Sequence, residues 1–207
     1  MSGVVALQGG GPFEANDELD RRLLCERGIE RVVMLPTADA YEQPAVLVDA
    51  ALAWGARIGV LVEPLMVLTR DQADDAAAAV IAAAPAVVLA GDSASHLRSV
   101  LKDTPVFDAI AAVLAGGGTV IAAGPSAAAL CDPMTDQRGG AFALGLGLVP
   151  GVAVIPGSEH WPHDQLERAH ALANTPVVDL PTGSALVIDD ERWSTVGEAV
   201  IHGELPA

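Results

Sequence analysis

The chain has 207 residues, a formal charge of −16, and a composition that is 51% hydrophobic but only 3% aromatic. That length supports one substantial core and no composition shift marks a second, so a single domain over residues 1–207 is expected. The negative charge repels phosphate backbones and anionic lipid surfaces, which argues against nucleic-acid and membrane partners.

With few aromatics, the core must be built from Ala, Val, Leu and Ile, a composition suited to helices packing closely on a sheet. Met1-Ser-Gly leads directly into an apolar run without a basic leader, and no apolar run is long enough to span a bilayer, so a cytoplasmic protein is expected. Cys25 and Cys131 are too few for a disulfide framework or a zinc site. Both fall in predicted helices and read as buried free thiols. Neither cofactor nor metal is expected.

In chain order, Val4-Val-Ala-Leu-Gln8 reads as a strand that breaks at Gly9-Gly10-Gly11-Pro12. Helical spacing follows from Glu14 to Arg27 through Leu19, Leu23 and Leu24. Arg31 to Pro36 is a second strand. A helix from Glu42 to Trp54 is stopped by Gly55, and Arg57 to Glu63 is a third strand. Asp71 to Ala84 reads as a helix whose aspartates favour its positive end. The wholly apolar Ala86-Val-Val-Leu-Ala-Gly91 reads as a strand covered on both faces, at the centre of the sheet. Two helical pieces, Ser95 to Leu101 and Pro105 to Leu114, precede a fifth strand.

This alternation predicts an α/β fold with a doubly wound, mostly parallel sheet, whose functional loops lie at the carboxyl ends of the strands. Beyond Asp132 short strands and loops are expected, then a polar helix from Pro162 to Ala173. Val177 to Leu180, Ala185 to Ile188 and Thr195 to Ile201 read as antiparallel hairpin strands.

The chemistry centres on Thr119-Val-Ile-Ala-Ala-Gly-Pro-Ser-Ala-Ala-Ala-Leu130, an apolar strand passing through Gly124 and Pro125 into an alanine-rich helix. That places Ser126 at a strand-to-helix turn, where hydrolases hold a nucleophile in strained backbone. The match to G-x-S-x-G is incomplete, because Ala128 replaces the second glycine. Ser126 as a helix N-cap is the competing reading.

A serine nucleophile needs a base, for which imidazole suits best. His160 and His163 lie in the loop Gly157-Ser-Glu-His-Trp-Pro-His163, and His160 is the preferred base. His96 follows the fourth strand, while His170 and His202 read as solvent-facing. Asp132, Asp136 and Glu159 are open alternatives for an orienting acid. Cys131 stands five residues past Ser126, about 140° around a common helix, and reads as packing. The glycines at 9–11 lack dinucleotide spacing, and Glu14 stands where pyrophosphate needs a neutral helix start.

Gly9-Gly-Gly, Leu89-Ala-Gly-Asp-Ser-Ala-Ser-His-Leu97, Ala123-Gly-Pro-Ser-Ala-Ala-Ala129 and Leu144-Gly-Leu-Gly-Leu-Val149 together resemble the dipeptidase E and cyanophycinase family of serine peptidases. The resemblance covers the chain to about the Trp161 loop. It implies a class I glutamine amidotransferase-like fold, with C-terminal antiparallel hairpins added here. It matches Ser126 to the nucleophile and Gly91 to the first of two oxyanion-site glycines, with the Ala127 backbone nearby.

Three departures accompany it. Pro125 and Ala127-Ala128 flank the serine, Asp92 stands for the second glycine, and Gly157 occupies the position of the family's histidine after Pro156. The resemblance therefore implies either a serine peptidase or amidase acting on a small peptide or amide, with His160 as a relocated base, or a binding scaffold that has lost the base. A homodimer is compatible with either.

Overall fold

The computed structural model describes residues 3–206. Its first strand, β1 (Val4–Gln8), is buried along its whole length. The polypeptide turns at Gly9–Gly11 into α1 (Asp17–Leu23), then forms β2 (Arg31–Leu35), α2 (Pro44–Ile58) and β3 (Leu61–Pro64). Next come α3 (Asp75–Ala82), β4 (Ala86–Leu89), α4 (Ala94–Leu101), α5 (Pro105–Ala115), β5 (Thr119–Ala123) and α6 (Pro125–Leu130). Short strands β6 (Cys131–Asp132), β7 (Met134–Asp136), β8 (Ala141–Ala143) and β9 (Val149–Pro150) lead to β10 (Ala153–Pro156) and α7 (His163–Leu172). The chain ends in β11 (Val177–Leu180), β12 (Ala185–Asp189), β13 (Arg192–Val196) and β14 (Val200–His202).

The main sheet has seven strands in the order β13-β12-β1-β5-β4-β2-β3. The pairs among β1, β5, β4, β2 and β3 are parallel, while β12 and β13 extend the sheet antiparallel beyond β1. The fold is therefore α/β with a mostly parallel sheet, as the strand–helix alternation predicts. β5, not β4, holds the middle position.

Alternation along each strand divides the core. Val5, Leu7, Val33, Leu35, Val87, Leu89, Val120 and Ala122 face α3 through α6, whereas Val4, Ala6, Val32, Met34, Ala86, Val88 and Ile121 face α1 and α2. Strands with both faces covered need apolar interiors, and β1, β2, β4 and β5 have them, with polar residues only at strand ends, as at Gln8, Arg31 and Thr119. A third cluster of Ala153, Ile155, Trp161, Ala169 and Val177 joins α7 to the smaller sheet β10-β11-β14.

Several boundaries differ from expectation for identifiable reasons. Gly55 does not end α2: a Cβ there would lie 2.5 Å from Val62 Cγ2, so glycine serves helix-to-strand packing. The helix stops at Gly59, whose φ of 90° is left-handed. The third strand accordingly starts at Leu61 rather than Arg57. Cys25 lies in a one-turn 3₁₀ segment and is exposed, and Cys131 begins β6 rather than continuing α6, so neither thiol is in an α-helix and only Cys131 is buried.

The stretch from Thr195 to Ile201 is not one strand. Val196 ends β13 in the main sheet, Gly197 turns at φ 70°, and β14 joins the smaller sheet beside β11. β11 is itself parallel to β10. Among the described residues no helix is long and apolar enough to cross a membrane.

Candidate functional site at the strand-to-helix corner

The apolar run from Thr119 carries β5 to the carboxyl edge of the sheet, where the backbone must reverse into α6 within one residue. That residue is Gly124, with φ 60° and ψ −142°. This region is close to one reserved for glycine, and strained strand-to-helix corners are where hydrolases of this general architecture place a nucleophile. The Gly124 N–H donates to Gln8 O at 3.1 Å, tying the corner to the end of β1. The corner position therefore bears no side chain.

Ser126 lies two residues further, in the first turn of α6, and is fully buried. Among the described residues its hydroxyl has one hydrogen-bond partner, the Gly91 carbonyl oxygen at 3.4 Å. It does not act as the helix cap, since Gly124 is the N-cap residue. The Ala127 N–H donates to Gly124 O at 2.8 Å and is thereby occupied within the turn. Ser126, Gly91 and Ala127 do come together, but Gly91 presents its carbonyl to the serine. Its φ of 124° requires glycine, and a Cβ would meet Asp39 N at 2.7 Å.

His160 is not hydrogen-bonded to Ser126. Its side chain is 78% exposed and Nε2 lies 3.4 Å from Glu159 Oε1. Burial raises the Glu159 pKa, but hydrogen bonds from Thr182 and its own backbone, with the charge of the adjacent His160, outweigh it and hold the carboxyl below its ordinary range. Gly157 follows β10 with φ 62°; its N–H donates to Leu180 O, and a Cβ there would approach nothing closer than His160 Cδ2 at 4.0 Å.

The remaining candidates have other partners. His96 Nε2 is 2.9 Å from Leu68 O and its ring meets Tyr41 edge-on. His163 pairs with Glu167 on α7. Asp132 accepts from Gly145 N, and Asp136 pairs with Arg138. Burial pushes the Cys131 thiol up to about 12, and its Sγ contacts Ala127 O at 3.7 Å.

Beside the corner is a cavity of about 200 Å³ between the first turns of α4 and α6 and the β7–β8 hairpin. Its polar lining includes Asp92, Ser93, Ser95, Asp136, Gln137 and Arg138, and Pro125, Ala128 and Pro156 are among its apolar walls. Ser126 is not among its walls. Partial withdrawal from water, together with the Asp39 and Glu42 carboxylates, raises the Asp92 pKa. Arg138 lines the same space, with its guanidinium turned to the Asp136 carboxylate. The sequence reading missed Gly124 and Arg138; the signal for Gly124 was its place as the last residue of the apolar run.

No family model matches the sequence, and no curated protein matches it. Solved structures do. A peptidase from an acI-B1 Actinobacterium superimposes with a TM-score of 0.85 at 23% identity, over 98% of this chain and 90% of that one. A candidate peptidase E from Listeria monocytogenes EGD-e gives a TM-score of 0.76 at 15% identity, over 95% of this chain and 98% of that one. The chain has a peptidase E-like fold. Within that fold, the corner after β5 is occupied by glycine, and Ser126, two residues on, is buried with its hydroxyl on the Gly91 carbonyl.

Proposed function

We propose that this chain is a non-hydrolysing binding protein built on the peptidase E-like fold, which holds a small peptide or amino-acid-like zwitterion in the cavity beside the corner. The reading rests on Gly124. A covalent mechanism needs a nucleophile with a base in hydrogen-bond reach, and the corner offers neither. The lining suits a molecule with both charges: Asp92, with Asp39 and Glu42 behind it, favours an ammonium group, and Arg138, whose Nε and Nη2 face Asp136, can engage a carboxylate through the N–H groups that Asp136 leaves. An acidic chain has no corresponding attraction for nucleic acid or anionic membrane.

A second reading is a serine peptidase or amidase that uses Ser126, with His160 as base and the Gly91 and Ala127 backbones near the oxyanion. The fold shared with proteins named as peptidases favours it.

One experiment separates the two. Ala-Ala dipeptide is added to isotope-labelled protein, amide shifts are followed by NMR, and free alanine is measured in the same tube. Shifts at Asp92, Ser93 and Arg138 without alanine release support binding; the N-acetylated dipeptide amide, lacking both charges, should bind at least about tenfold more weakly. Alanine release that disappears in Ser126→Ala overturns the binding reading in favour of the enzyme.

A further inference from the structure

A second cluster, which shares no residue with the cavity, lies on the smaller sheet. In the antiparallel β11–β14 pair Asp179 is opposite Val200 and Val177 is opposite His202, so Asp179 and His202 project from the same face. α7 contributes His170 to that face. His170 Nε2 is 2.9 Å from Asp179 Oδ1, and His202 Nε2 is 3.0 Å from Asp179 Oδ2. The two imidazole rings lie 4.0 Å apart at 32°. These histidines are therefore not the independent surface residues that sequence spacing suggests. They converge on one carboxylate, which is itself buried.

The arrangement has the chemistry of a metal-ligand set. Two imidazole nitrogens and a carboxylate oxygen are donors that favour zinc-type divalent ions over calcium or magnesium. All three ligand atoms lie within 4.8 Å of one another. Bonds of about 2.0–2.1 Å in a tetrahedron place neighbouring donors roughly 3.3 Å apart. Each imidazole nitrogen is already near that distance from its own oxygen of the Asp179 carboxylate, and binding through one of those oxygens needs the other imidazole to swing toward it. His202, 41% exposed, has room to make that movement, and its solvent side leaves a coordination position for water.

We propose that His170, Asp179 and His202 form a binding site for one divalent transition-metal ion of the zinc type. The ion takes the place of the proton in each imidazole–carboxylate contact: each ring binds through Nε2 with its one remaining proton on Nδ1, and any further proton passes to water. It thereby fastens β14, the last strand of the chain, to β11 and α7.

The full-length protein, stripped with EDTA, is titrated with Co²⁺ and followed by visible absorption, then by competition with Zn²⁺. The expected result is saturation at one equivalent, with d–d bands of low-coordinate cobalt that zinc abolishes. His170→Ala and His202→Ala should each weaken binding by more than the roughly 10–100-fold that loss of an outer-shell partner causes. A His160→Ala/His163→Ala variant, which removes two exposed imidazoles elsewhere, should bind like wild type. Absence of saturation, or undiminished binding in both His170→Ala and His202→Ala, overturns the site. Should either variant lose its far-UV circular dichroism, wild-type histidine ring resonances decide: Co²⁺ must broaden those of His170 and His202, and broadening confined to other histidines overturns the proposal.

Discussion

The Ser126 hydroxyl donates to the Gly91 carbonyl, Oγ to O 3.4 Å, in a position without solvent exposure. This contact joins the first turn of α6 to the loop after β4 and uses the one proton that a nucleophile would have to surrender. Ser126→Ala is therefore a stability change, costing about 1 kcal/mol or less for one long hydrogen bond. Urea denaturation measures it. A fluorophosphonate probe should label wild type only at background, and neither Ser126→Ala nor His160→Ala should alter that. Strong wild-type labelling abolished by Ser126→Ala would show an activated serine.

Gly124 and Gly157 share left-handed φ values near 60° and both have space for a side chain. A Cβ at Gly124 meets nothing nearer than Gly9 O at 3.8 Å. Gly124→Ser combined with Gly157→His should therefore fold, with strain of roughly 1–3 kcal/mol at each position. It should also acquire fluorophosphonate labelling well above wild type, while each single variant stays lower. A folded double variant that remains at background would mean that position 124 does not serve as a nucleophile corner.

Asp20 gives a pH prediction. Burial raises its pKa from 3.8 to about 6 against the opposing hydrogen bonds from Gln8 Nε2 and Trp54 Nε1. Between those two values the folded state holds the proton more tightly than the unfolded state. Stability from this group is thus fully present below about pH 4 and is lost as pH rises through about 6. A shift of this size corresponds to up to about 3 kcal/mol. Denaturant midpoints from pH 4 to 7 should carry this downward contribution in wild type and lack it in Asp20→Asn. Equal slopes in the two proteins would rule it out.

The thiols should differ in reactivity. Cys25 is exposed, whereas Cys131 is buried with its pKa pushed up to about 12. A disulfide-exchange reagent should modify one thiol per native chain rapidly and the second only in denaturant; Cys25→Ser should abolish the fast phase. A fast phase that persists in Cys25→Ser would place Cys131 within reach of solvent.

The parallel sheet was legible because strands covered on both faces leave unbroken apolar runs, as in Val4 to Leu7 and Ala86 to Leu89. The corner was less so. Gly124, Pro125 and Ser126 all suit the entry to a helix, and only the backbone angles identify which one carries the reversal. Gly55 was misleading for a different reason: a helical glycine reads as a stop until its packing against Val62 is seen. His170 and His202 read singly as solvent-facing residues of a helix and a terminal strand, and their common partner Asp179 becomes visible only through the β11–β14 register and the packing of α7.

The position of β1 bears on how the chain is made. Its neighbours are Thr119–Ala123 on one side and Ala185–Asp189 on the other. During synthesis from the amino terminus, β2, β3 and β4 can associate early, but β1 keeps an unpaired edge until β5 emerges and a second until β12 does. Closing such distant pairs is slow. The long-lived edges of β1, an apolar strand, make the nascent chain prone to aggregation until β12 has left the ribosome.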